Sequence, residues 1–264
     1  MLQAHSLLWH YLWVAPNLLL LVLVFFIVKR GLTTQYSAFL AFAGLSAIAE
    51  LAVYAADILP WVSPPEFWST VRASLLIEGP VKFILIAAIF AQAFGAYPSL
   101  ARLGKILIRA VGVFLVLTAA LAAAYAQQDS PFANIAGVHV LEEAIYLIEA
   151  GLLVFIFSFS SYFRLSLSRP QFGIALGLGI SACVHLATWA VAANAVLPPT
   201  KRVALDFVNM GTYHICVLIW FYYLLVPQKV EGITTVPSNA PSLDLGPQES
   251  LATWNRELER LIHQ

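Results

Sequence analysis

Charge is what this sequence has least of. Only 11% of its 264 residues are Asp, Glu, Lys or Arg, where a soluble domain carries about 25%. With 61% hydrophobic residues and a mean hydropathy of +0.83, the chain reads as a polytopic membrane protein. Cysteine is nearly missing as well. Cys183 and Cys216 both sit in apolar runs and no CxxC occurs, which excludes a disulfide framework, a zinc finger and c-type haem attachment. Both read as packing residues. HExxH and HxxxH are absent, and the last apolar run holds no lysine, which disfavours a retinal Schiff base. No basic region precedes the first run, Leu7 to Val28, and no Ala-x-Ala site follows it; it ends in Lys29-Arg30. It reads as a retained span rather than a signal peptide.

What is there is a succession of apolar runs. A bilayer crossing takes about 20 such residues, and seven segments qualify, near 6–28, 36–57, 67–95, 104–126, 135–162, 171–196 and 203–226. The expectation is an all-α bundle of seven transmembrane helices over residues 1–226. Short connections make sequence neighbours antiparallel. Gly79-Pro80 is expected to kink the third segment. Gly173, Gly177 and Gly179 form a small-residue face for close helix approach, and the Ala-rich fourth segment around Ala119–Ala124 reads the same way.

Basic residues set the orientation. The first, third and fifth loops hold Lys29 and Arg30, then Arg102, Lys105 and Arg109, then Arg164 and Arg169. The N-terminus and the second and fourth loops hold none; Lys201-Arg202 in the sixth argues the other way. The expected topology is N-out, C-in. An odd span count without an internal repeat weighs against a two-halved transporter.

Residues 227–249, rich in Pro, Ser and Gly, read as a flexible cytoplasmic linker. Residues 250–264 resume a helical period. Leu251, Trp254, Leu258, Leu261 and Ile262 share one face, opposite Arg256, Glu257, Glu259 and Arg260. Its mixed charge favours docking onto the bundle or a cytoplasmic protein partner over lipid alone. No kinase, nucleotide-binding or DNA-binding domain is recognisable, so nucleic acid is not an expected partner and a signal would leave through a separate protein.

The chemistry-bearing side chains lie in stripes inside the spans. His139, Glu142, Glu143, Tyr146 and Glu149 fall within an arc of roughly 120° on one helix. Ser46, Glu50, Tyr54 and Asp57 share a face of the second segment. The third carries Arg72, with Glu78 and Lys82 at the i,i+4 spacing that allows an ion pair. Ser181, His185 and Thr188 align in the sixth; Asp206, Asn209 and Tyr213 align in the seventh, with His214 beside them. Nearly all fall in the expected outer half. Charge at membrane depth is costly, so these faces should turn to protein or water. Six carboxylates (Glu50, Glu78, Glu142, Glu143, Glu149, Asp206) meet only two fixed cations, Arg72 and Lys82. Pairing alone leaves carboxylates over, to be protonated, hydrated, bonded to histidine or bound to a cation. The preferred reading is an outward-facing acidic cavity; dry pairs that hold the helices in register are the bland alternative.

Three functions compete for such a cavity. Sensing of a small solute or of protons, signalled through a partner, suits a cluster of titratable groups. A metal-dependent intramembrane enzyme would draw on His139, Glu143, His185 and His214, although no ligand spacing supports it. A b-type haem or electron-transfer protein would use His185 and His214 as axial ligands. Ion or solute transport stands behind these. No cofactor is specified, and sensing is preferred over catalysis.

The stretch Gly151-Leu-Leu-Val-Phe-Ile-Phe-Ser-Phe-Ser-Ser-Tyr-Phe, then Phe172-Gly-Ile-Ala-Leu-Gly-Leu-Gly, and the tail Thr253-Trp254-Asn255-Arg256-Glu257-Leu258 resemble a family of acidobacterial seven-transmembrane proteins of similar length. The likeness covers the fifth to seventh segments and the tail. It implies the seven-span topology and a bacterial inner membrane. The family has no established activity, so no residue role carries over.

Overall fold

The computed structural model describes residues 4–93, 133–162, 167–194 and 198–226, with residues 106, 109, 110, 112, 113 and 117 between them. Most of the span expected at 104–126, the linker at 227–249 and the amphipathic helix at 250–264 lie outside the described residues. The described chain is all-helical, without strands: α1 (Leu7–Lys29), α2 (Ser37–Ile58), α3 (Pro64–Ala93), α4 (Ala133–Tyr162), α5 (Arg169–Asn194) and α6 (Pro199–Leu225). Side chains of α4 are described over residues 143–158.

Local chemistry accounts for the ends. Ser6 caps α1, its hydroxyl accepting from the Trp9 N–H at 3.3 Å. At the other end Gly31 takes φ +71°, a conformation that favours glycine. Its N–H reaches the Val28 carbonyl and the Leu32 N–H reaches that of Ile27, at 3.0 and 3.2 Å. This pair of bonds is a Schellman stop. Pro199 opens α6 at its first position, where a missing N–H costs nothing. Through Gly79-Pro80, α3 continues as one helix.

Among the described residues, five segments are long and apolar enough to cross a membrane: α1, α2, α3, Arg169–Ala192 of α5 and Lys201–Leu225 of α6, with mean hydropathies of 1.4 to 2.5. Only 28% of the most apolar stretch of α1 is buried within the protein. Leu18, Val22, Phe25, Ile48, Ile84, Val154, Ile215 and Leu218 all project outward. Apolar side chains this numerous need a hydrocarbon surround, and the chain is a multi-pass membrane protein.

The six helices close a ring in chain order: each packs on the next, and α6 packs on α1. Glycine permits close helix approach at three positions. A methyl at Gly173 would run into Tyr223 and one at Gly177 into the Trp220 indole, so α5 and α6 approach at small residues. Gly79 does the same for α3 against Ile145 of α4, where an added Cβ would lie 2.8 Å from Cδ1. The ring is filled with apolar side chains around Leu23, Ile27, Phe39, Ala43, Ile86, Ile89, Leu153, Ile156, Ile174 and Leu224. These lie toward the end where α1 finishes and α2 begins. Toward the other end the filling changes character.

Candidate functional site

That other end holds a cavity of about 570 Å³ to which all six helices contribute. Helix α1 gives Trp9, Leu12, Trp13 and Asn17; α2 gives Phe42, Ser46 and Glu50; α3 gives Phe67, Trp68, Glu78 and Lys82. Tyr146 and Glu149 come from α4, Leu178, Ser181 and His185 from α5, and Asp206, Asn209, Met210, Thr212, Tyr213 and Trp220 from α6. The volume falls within the range of small-molecule sites.

Trp220 closes the floor. It is 1% exposed, stands edge-on to Phe39 and Phe42 with centroids 5.6 and 5.8 Å away, and donates its indole N–H to the Ile174 carbonyl at 3.3 Å. Below it is the apolar core. At the opposite end Asp206 is exposed and marks the rim.

The walls are tied by cross-helix hydrogen bonds. The Trp13 indole donates to Glu50 Oε2 at 3.2 Å. The Tyr213 hydroxyl donates to Asn17 Oδ1 at 3.3 Å, while Asn17 Nδ2 donates to the Trp13 carbonyl at 2.8 Å. Ser74 donates to Glu78 Oε1 at 3.0 Å one turn away on α3. Thr188 Oγ1 lies 2.9 Å from the His185 carbonyl and 3.0 Å from Asn209 Oδ1, joining α5 to α6.

Tyr146 is the centre of the charged side. Its ring stacks on His185, centroids 3.9 Å apart and 28° from parallel. Lys82 Nζ donates to its hydroxyl at 3.3 Å and lies 4.4 Å from the ring centroid, within cation–π range. Glu78 and Glu149 are within electrostatic reach of the same ammonium. Glu149 is 1% exposed, and its Oε2 is buried with no hydrogen-bond partner among the described residues. The Ser46 hydroxyl oxygen is in the same state.

Of the side chains singled out in the sequence, Glu50, Glu78, Lys82, Tyr146, Glu149, His185, Asp206, Asn209 and Tyr213 line this one space. Tyr54 sits beyond its rim, 3.0 Å from His10 Nδ1. Arg72 is not on the lining; its Nε donates back to the Trp68 carbonyl at 3.2 Å. Glu143 is half-buried off the lining. His139 and Glu142 belong to α4, but their side chains lie outside the described residues. His214 also stays off the lining and packs against Tyr11, centroids 5.8 Å apart. His185 and His214 are therefore not brought to a common space, as axial haem ligation would require. Among the described residues, no three His, Cys, Asp or Glu side chains are placed to hold a metal ion.

Sequence patterning marks α1 as a span but singles out no site residue on it. His5, His10 and Trp13 meet Asp57, Tyr54 and Glu50 in turn along α2, His5 Nδ1 lying 3.7 Å from Asp57 Oδ2. The available signal was the spacing of His10, Trp13 and Asn17, which puts all three on one helical face. No protein-family model, no curated protein and no solved structure matches this chain.

Proposed function

We propose that the cavity binds a small solute from outside the membrane and that the protein acts as a sensor, signalling through a cytoplasmic partner. The observation that carries this reading is the cavity itself: six helices ring a space with polar and aromatic walls, open toward one end and floored by Trp220 at the other. Lys29, Arg30 and Arg169 lie at the floored end, and the positive-inside rule turns that end to the cytoplasm. Lys201 and Arg202 in the first turn of α6 lie at the open end, with Arg72 of α3 toward it. In this reading the chain has seven spans, runs N-out to C-in, and resides in a bacterial inner membrane. The tail face of Leu251, Trp254, Leu258 and Leu261 carries the output.

The reading separates from its rivals in one preparation. Purified protein should be colourless, hold no stoichiometric metal, and bind a solute saturably without accumulating it in proteoliposomes. A Soret band would replace it with the haem reading, stoichiometric metal with the enzyme, and solute uptake with the transporter.

A further inference from the structure

We infer that the solute is an organic ammonium ion, a conclusion that rests on the solute-binding reading above. Among the described residues, Glu50, Glu78, Glu149 and Asp206 contribute carboxyl groups to the wall and Lys82 contributes an ammonium. Lys82 is already committed to the Tyr146 hydroxyl and ring. An anionic solute would meet this excess of carboxyl groups and be repelled.

Acidity alone does not define a site; Glu149 supplies the second observation. It is almost fully buried, lines the cavity, and its Oε2 receives no hydrogen bond from the described residues. The Lys82 ammonium acts on Glu149 through charge but is held by Tyr146 and gives this oxygen no hydrogen bond, so the buried carboxyl is costly until a donor or a further positive charge reaches it. An organic ammonium ion brings the charge, and one that bears N–H groups brings the donor as well.

The remaining wall selects the kind of cation. A metal ion needs several hard donors converging, and the described residues offer no such group. They offer the indoles of Trp9 and Trp13 on α1 and of Trp68 on α3. Aromatic faces with a nearby carboxylate are how proteins hold alkylated ammonium groups: the ring quadrupole attracts the diffuse charge, and the alkyl substituents bury apolar area.

The test uses the full-length protein in nanodiscs and follows tryptophan emission and thermal unfolding. The probes are choline, the larger benzyltrimethylammonium, and two analogues of choline's shape: neohexanol, which is uncharged, and tert-butylacetate, an anion. At least one ammonium should bind saturably and raise the melting temperature. Neohexanol and tert-butylacetate should bind at least about tenfold more weakly, since one decade is a modest share of a desolvated ion–carboxylate contact. Glu149→Gln should remove the preference for charge while Glu149→Asp retains part of it. If Glu149→Gln does not fold, Glu50→Gln takes its place, since its carboxamide oxygen still accepts from Trp13. Equal binding of neohexanol, or tighter binding of tert-butylacetate, overturns the ammonium assignment and leaves the cavity reading standing. Failure of both ammonium probes also overturns it. The cavity reading falls only if a thiol placed inside the cavity proves unreachable from outside.

Discussion

The Trp13 indole donates to Glu50 Oε2 across 3.2 Å, and this bond is the deepest rung of a polar seam between α1 and α2. Above it His10 meets Tyr54, and above that His5 meets Asp57. Trp13→Phe keeps an aromatic ring in place but removes the donor. It should cost about 1–2 kcal/mol, the range for a partly buried bond to a carboxylate. Glu50→Gln keeps an acceptor and should cost less. Equilibrium unfolding in mixed detergent micelles measures both; equal losses would show that the bond contributes nothing beyond packing.

Gly177 and Gly151 make a matched pair. A methyl on Gly177 would collide with the Trp220 indole, whereas one on Gly151 meets nothing within 4 Å. Gly177→Ala should therefore destabilise by about 1–3 kcal/mol, the usual cost of overpacking. Gly151→Ala, in a helix interior, should stabilise by up to about 1 kcal/mol through the unfolded chain. Shifts of the same sign in the two variants would refute close α5–α6 packing at Gly177.

Trp220→Ala removes the floor. Loss of a fully buried Trp should cost roughly 3–5 kcal/mol and open a path to the thiol one turn away. Cys216 is fully buried, whereas Cys183 is exposed. In detergent, a small neutral maleimide should modify Cys183 alone in the parent protein and both thiols in Trp220→Ala. Rapid reaction of Cys216 in the parent protein would mean that the floor is not sealed.

Helix periodicity made the polar faces of α2, α4, α5 and α6 legible, because a three-to-four-residue recurrence of Glu, Asp, His or Tyr in an apolar run stands out against its background. It could not decide which neighbour of each face meets the ring centre. Tyr213 and His214 are adjacent, about 100° apart, so one reaches the cavity and the other turns to Tyr11. Arg72 lies six residues before Glu78, a rotation of roughly 240° that carries it off the shared face. Tyr54 shares the face of Glu50 but stands about 6 Å higher, beyond the rim. The α1 face escaped notice because Trp13 and Asn17 barely interrupt a run with mean hydropathy 2.5. Its role appears only when α2 is laid beside it.

A single labelling experiment in intact cells tests whether the cavity is open to solvent from outside. In a Cys183→Ser, Cys216→Ser background, Ser181→Cys places a thiol at a half-buried position on the lining, and Ala43→Cys places one in the core, off the lining. A small, membrane-impermeant, positively charged methanethiosulfonate applied from outside should modify position 181 and spare position 43. Protection of position 181 from outside, or its modification only in inverted vesicles, would refute the outward-facing cavity.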